Sequence, residues 1–328
     1  MTDSNRPRYM IVQLGRIGDL ILQTPMFQAL KEKFPESELH LLASRHNHHF
    51  AHQHPLIDRV FVNTKKAMQS LKLFYHLRTT PYTAWIDPKY HYSSESQLFA
   101  RLCRAPIKIG FNQNNRGPFT HPVISGDEYK TEHLAAHCLR TLQYLHINNT
   151  NIRPILYVDE FSAVQFNRFL RNRHVEKYYC VNISSNAPDR GWPWDRWVPF
   201  LKTIQEPDRA FIIISAPKHR QQAIDISTAL PDTHYYPTAG IIDVFSVVSR
   251  AEMIITPDTS IVHIASAFDR PLFALYVNLI DFYSKFYPLS THFRAVMHPT
   301  PGALVAEISL EMAIEQFQSL KSELDQHE

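Results

Sequence analysis

The chain opens on a continuous apolar run, Tyr9–Leu14, that ends in Gly15-Arg16-Ile17-Gly18-Asp19 and passes into a helical period over Leu20–Phe34. A strand covered on both faces reads as an unbroken apolar run, and strand, glycine turn, helix is how a doubly wound α/β sheet begins. Thr24-Pro25 is expected in the first turn of that helix, where proline is tolerated. The alternation then continues. Strands are expected at Leu39–Ala43, Arg59–Val62, Ala84–Asp87 and Ile107–Ile109, and helices at Ala67–Leu77, Ser94–Cys103 and Glu132–Leu145. Gly110–Lys130 is polar, holds three Gly and two Pro, and reads as a long surface loop.

Asn148–Pro154 has the composition of a linker, and a second alternation follows it. Strands are expected at Tyr178–Ile183, Ala210–Ser215, Thr233–Tyr236, Met253–Thr256 and Leu272–Tyr276. Helices are expected at Trp194–Ile204, His219–Leu230, Ile242–Val248 and Ser260–Phe268, with an amphipathic closing helix at Ser309–Leu324. The predicted architecture is α/β, with two Rossmann-like domains, 1–155 and 156–308, whose parallel sheets face a central cleft. Ligands of such sheets bind at the carboxyl ends of the strands, so the residues just after each strand carry the information.

The 328 residues include three cysteines, none in a CxxC pair, which excludes a disulfide framework and most zinc ribbons. With eight glycines the chain contains neither GxGxxG nor GxxxxGK[ST], which argues against fingerprint nicotinamide enzymes and P-loop NTPases. Its apolar runs are far shorter than a membrane span, and Arg16 and Asp19 interrupt the first one as no signal peptide would. A cytoplasmic location is the expectation. Charge divides the halves. Residues 1–155 carry 19 Lys+Arg against 11 Asp+Glu, and 156–328 carry 15 against 20, so +8 and −5. The first half then faces something anionic, unless both are simply solvated surfaces of drifted composition.

Three segments after strands hold chemistry. In the first, Gly15 and Gly18 allow close backbone approach, and Asp19 is either a helix cap or a catalytic carboxylate. In the second, Ser184-Ser185-Asn186-Ala187-Pro188-Asp189-Arg190-Gly191 sets hydroxyls, an amide and a guanidinium in one turn: a phosphate cradle, or a helix cap with a surface arginine. In the third, Asp258-Thr259-Ser260 lead into a helix whose first amides form an anion site, with His263 one turn in, as ligand contact or packed core.

Arg-Ile-Gly-Asp-Leu-Ile-Leu-Gln-Thr-Pro (16–25), Arg-Gly-Trp-Pro-Trp-Asp-Arg-Trp (190–197) and Pro-Asp-Thr-Ser-Ile-Val-His-Ile-Ala-Ser-Ala-Phe (257–268), in this order, resemble glycosyltransferase family 9, the bacterial heptosyltransferases of the lipopolysaccharide inner core. The resemblance runs over nearly the whole chain. It implies a GT-B fold whose closing helix, about 309–328, packs back on the first domain. It also implies inverting, metal-independent transfer of heptose from ADP-heptose to an inner-core acceptor (lipid A-Kdo or inner-core heptose), on the cytoplasmic face of the inner membrane. The absence of any Asp-x-Asp agrees on the metal. Neither a cofactor nor a nucleic-acid partner is expected.

Carried onto this sequence, the family's general base falls on Asp19. Its nucleotide-phosphate contacts fall on Ser185, Asn186, Arg190, Asp258, Thr259, Ser260 and His263, with Arg190 also stabilising the leaving diphosphate. Gly18, Arg45 and Arg116 are the acceptor-side candidates. Two positions depart from the family, Arg190 for Lys and Ser260 for Gly. They open the alternative of an ADP- or UDP-hexose donor. A third reading, from another class, is a non-catalytic sugar-nucleotide-binding protein. Between His46 and His54 lie five histidines. They read as a metal site, an acceptor-side surface or a solvated helix, and no Cys or carboxylate accompanies them. Trp85, Tyr90, His91 and Tyr92 stack on a sugar or belong to the core, with core preferred for Trp85.

Overall fold

The computed structural model describes residues 6–114, 116–123, 129, 131–185 and 187–326. They divide into two compact units, Met1–Ile155 and Leu156–Glu328. In the first, β1 (Arg8–Gln13), β2 (Glu38–Ser44), β3 (Arg59–Asn63), β4 (Ala84–Ile86), β5 (Ile107–Gly110) and β6 (His121–Pro122) form one sheet in the order β3-β2-β1-β4-β5-β6. In the second, β7 (Tyr178–Asn182), β8 (Ala210–Ile214), β9 (Thr233–Tyr235), β10 (Met253–Pro257), β11 (Leu272–Tyr276) and β12 (Phe293–Met297) run β12-β11-β10-β7-β8-β9. Every pairing is parallel. Counted within each unit, both sheets have the order 3-2-1-4-5-6 of a doubly wound nucleotide-binding fold. The central strands β1, β7, β8, β10 and β11 are buried along nearly all their length. This is why they were visible as apolar runs.

Two local expectations are corrected, and three elements were not expected. The first helix spans Ile17–Lys33, so Pro25 lies in its interior rather than its first turn. Proline leaves the carbonyl four residues back without an amide donor. The Thr24 hydroxyl donates to that carbonyl of Ile21 at 2.7 Å instead. The expected surface loop after β5 contains the edge strand β6. Phe119 is packed so tightly under Gly110 that a Cβ there would lie 2.4 Å from its ring. Helices at Glu160–Arg171 and Ile280–Phe286, and the edge strand β12, were not foreseen.

The closing helix, Leu310–Asp325, lies in the second unit. Its apolar face, Ala313, Phe317 and Leu320, completes the core of the second. The Phe317 ring meets Phe273 at 5.6 Å, Phe200 at 5.9 Å and Tyr179 at 6.2 Å. An i, i+4, i+7 stripe finds whichever uncovered sheet face lies nearest. Here that face lies between β12 and the helix Trp194–Ile204. Burying one such aromatic contributes about 1.5–3 kcal/mol. Among the described residues no helix is long and apolar enough to cross a membrane.

Candidate active site

At the carboxyl edge of the first sheet, β1 delivers Gln13 and the turn Gly15–Arg16. Gln13 Oε1 accepts from the Gly15 amide at 2.8 Å. Asp19 occupies the third position of the following helix, half-buried, and its Oδ2 accepts from the Arg16 amide at 3.0 Å. A side chain at position 15 would place its Cβ 2.4 Å from Asp19 Oδ2 and 2.8 Å from Gln13 Oε1. A side chain at 15 would therefore push the Asp19 carboxylate or the Gln13 amide out of place, a matter of close approach and not of backbone angle. Gly18 is the residue before Asp19 on the same turn.

The turn is held from β2. The Ser44 hydroxyl donates to the Gly15 carbonyl at 2.8 Å. Asn47 Nδ2 donates to the Gln13 carbonyl at 2.9 Å and to the Gly15 carbonyl at 3.3 Å. The histidine-rich stretch thus begins by clamping the Asp19 turn, then forms the short helix His48–Gln53. A second carboxylate, Asp87, stands after β4. It is buried, accepts from the Ser96 hydroxyl and from the Lys89 amide, and burial raises its pKa. In the sequence Asp87 reads only as the end of a strand. Its signal was an acid closing an apolar run. Trp85 is fully buried, Tyr92 is exposed, and Arg45 and Arg116 are exposed cations outside this cluster of bonds.

The carboxyl edge of the second sheet is an interlocked polar cluster. Asn182, the last residue of β7, is its hub. Its Nδ2 donates to the Ser184 carbonyl at 3.1 Å, to Thr256 Oγ1 at 2.9 Å and to Thr259 Oγ1 at 3.3 Å, while its Oδ1 accepts from the Ser184 amide at 3.1 Å. Ser184 Oγ accepts from the Ala216 amide at 2.7 Å, which ties in the loop after β8. The loops that follow β7, β8 and β10 are tied together at Ser184, Ala216 and Thr259. Sequence reasoning missed Asn182, whose only mark was an amide closing the run Tyr-Tyr-Cys-Val.

Onto this frame come the expected ligand residues. Thr259 caps the helix Ser260–Ala267, its Oγ1 accepting from the Ile261 amide at 3.3 Å, so the first amides of that helix lie at the sheet edge. Ser260 is its first residue, and His263, buried, is one turn in. Ser185 Oγ is turned onto its own loop, donating to the Ala187 carbonyl at 2.8 Å and accepting from the Ala187 amide at 3.2 Å. Beside it lie His219 and Trp194, their rings 4.9 Å apart. Asn186 lies outside the described residues.

Arg190 reaches Asp258, with Nη1 at 3.1 Å from Oδ2, and lays its guanidinium over the Phe282 ring at 4.4 Å. Asp258 is 4% exposed. Burial lifts its pKa to about 6, against the pull of Arg190 and with a push from Asp189. Arg190 and Asp258 are thus a coupled pair next to a helix N-terminus, and Phe282 fixes the plane of the guanidinium. A planar fork locked in this way presents its remaining N–H donors in a set direction. Among the described residues no group of three or more His, Cys, Asp or Glu side chains is placed to hold a metal ion.

Two doubly wound units in one chain, each with a polar cluster at the carboxyl edge of its sheet, are the architecture of the GT-B fold. The family model of glycosyltransferase family 9 (heptosyltransferase) matches residues 70–297, and the chain belongs to that family. The lipopolysaccharide core heptosyltransferase OpsX of Haemophilus influenzae is 19% identical over 81% of this chain and 78% of its own. The family 9 glycosyl transferase of Veillonella parvula superposes with a TM-score of 0.81 at 19% identity, over 97% of this chain and 98% of that one. The ADP-heptose heptosyltransferase II of Escherichia coli does so with 0.77 at 15%, over 97% and 99%.

Proposed function

We propose that this glycosyltransferase moves heptose from ADP-heptose onto a hydroxyl of a lipopolysaccharide inner-core acceptor, with inversion and without a metal ion, at the cytoplasmic face of the inner membrane. The observation that carries the reading is the Arg190–Asp258 pair set against the helix starting at Ser260, a ready-made seat for a diphosphate. The relatives' names, a core heptosyltransferase and an ADP-heptose heptosyltransferase, supply the sugar and the acceptor class.

In this mechanism Asp19 takes the proton of the acceptor hydroxyl as its oxygen attacks the anomeric carbon of the donor. The bond from that carbon to the diphosphate oxygen breaks, and ADP leaves with the electron pair. Charge grows on the diphosphate, where Arg190 and the amides at 259–260 meet it. One such preorganised donor is worth about 3 kcal/mol of barrier. Asp258 does not touch the phosphates first. It orients Arg190, with Phe282 stacked behind, and Ser185, Asn186, Thr259, Ser260 and His263 complete the nucleotide contacts.

The test is a thermal-shift panel of ADP- and UDP-sugars, followed by mass and NMR analysis of the product with and without EDTA. ADP-heptose is expected to bind and turn over, to give the inverted anomer, and to ignore EDTA. Turnover only with a hexose nucleotide would instead support the second donor reading, for which Arg190 and Ser260 are the warrant.

A further inference from the structure

The first unit carries an outward apolar stripe that its fold does not use. The helix Ala67–Thr79 buries Leu73 and Leu77 in the core that holds Trp85 and Phe99. On the far side Met68 is 66%, Leu71 61% and Tyr75 73% exposed. At spacings of three and four these side chains share one face. A soluble helix normally covers one apolar face and solvates the other, so a second apolar stripe marks an interaction surface.

Its charges name the partner. From Arg59 through Ile86 there is no Asp or Glu, while Arg59, Lys65, Lys66, Lys72 and Arg78 are all cationic. At 3.6 residues per turn, Lys72 and Arg78 fall on opposite flanks of the stripe. Lys65 pairs with Glu95 at 2.8 Å, both well exposed, and Glu95 is the acid facing this end from the neighbouring helix Ser94–Leu102. On one flank Lys72 opens onto a cavity of about 480 Å³, shared with His48, His52 and Arg59. An apolar stripe with cations on both sides is the chemistry of a helix lying in the surface of an anionic bilayer. A second exposed helical pair, Phe161 at 71% and Val164 at 53% in the second unit, has Asp159 and Glu160 before it and Arg168 and Arg171 after it, so its charges cancel and it lacks an excess of cations.

We propose that Ala67–Thr79 is the surface by which the protein docks on an anionic lipid bilayer, with Met68, Leu71 and Tyr75 entering the headgroup boundary and Lys65, Lys66, Lys72 and Arg78 meeting lipid phosphates. The helix follows β3, so its lysine-rich start lies at the carboxyl edge of the first sheet, the edge that bears Asp19. Docking there would bring that edge to the membrane surface. The inference rests on the proposed lipid-borne acceptor.

The test is co-sedimentation of the full chain with phosphatidylethanolamine/phosphatidylglycerol vesicles and with phosphatidylcholine vesicles, at low and high salt. Wild type should bind only the anionic vesicles and release at high salt. Met68→Glu with Leu71→Glu, both exposed, should lower binding at least tenfold. Lys72→Glu should lower it roughly fivefold or more. Phe161→Glu with Val164→Glu should change nothing. All three native cysteines are buried, so a polarity-sensitive dye on Leu71→Cys should shift to the blue on adding anionic vesicles. No binding by wild type at low salt, or binding indifferent to the Met68/Leu71 double change, overturns the proposal. So does a vesicle-free dimer that this double change dissolves, which would make the stripe a contact between copies. Turnover on a detergent-dispersed acceptor is measured in parallel. If turnover holds while vesicle binding fails, only the docking surface falls. If turnover fails, the proposed reaction falls.

Discussion

The two sheets have one topology and opposite furnishings at their carboxyl edges. The second edge is closed: Asn182 locks three loops together, and Arg190, Asp258 and Phe282 fix one another before any ligand arrives. The first edge is open: Asp19 hangs on a single turn clamped by Ser44 and Asn47, with Arg45 and Arg116 exposed outside it. On the proposed reaction, the difference follows from what each would hold. A diphosphate is compact and highly charged, and is best met by donors already in place. A large lipid-borne acceptor needs one well-aimed base and room around it.

The comparison breaks first at Asp19. Asp19→Asn should reduce turnover by roughly 10²–10⁴-fold while calorimetry finds ADP affinity unchanged. Near-normal turnover would reduce Asp19 to a backbone bond at the start of its helix. On the other edge, Arg190→Ala should slow transfer by on the order of 10²-fold and also weaken ADP. Affinity as in wild type would move the diphosphate elsewhere.

Asn182→Ala sharpens the contrast, because it removes the clasp but no expected ligand contact. It should cost about 2 kcal/mol of stability, through buried groups left unpaired, and should raise donor KM more than it lowers kcat. An unchanged melting curve would show that the three loops hold without it.

The smallest effect is in pH. In the first unit burial holds His54 and His76 down to about 4. Unfolded, they titrate near 6.5, so between those values the unfolded state binds more protons. Their contribution is complete above about pH 6.5 and is lost as pH falls toward 4, about 2–3 kcal/mol for the well-buried His54. Asp258 has the opposite sign. Its raised pKa means that its ionisation costs stability as pH rises from 4 through 6. Melting temperatures across this range, for wild type and His54→Leu, should show a shallower acid loss in the variant.

Where the fold was legible, the reason is burial. Strands such as Ile254–Thr256 and Phe211–Ile214 are covered on both faces and must be apolar throughout, so the sequence displays them without ambiguity. Edge strands carry no such obligation: β3 and β9 are legible, whereas the two-residue β6 and the half-exposed β12 are not. The candidate ligand loops are legible because in such sheets they follow the buried strands. Asn182 could not be found in this way. One polar residue at a strand end looks the same whether it faces water or, as here, makes four bonds inside the protein.

The sequence by itself determined two doubly wound units, their division near residue 155, and the three segments on which a family's chemistry could be placed. Periodicity and glycine spacing are local, and those properties need nothing else. Only the tertiary structure decided that the closing helix completes the second unit. It also decided that Arg190 is held by Asp258 and Phe282, and that Met68, Leu71 and Tyr75 point outward. Each depends on which surfaces meet across stretches of chain that run from tens of residues to well over a hundred. An apolar stripe states that it must be covered, or that it will bind, without stating by what.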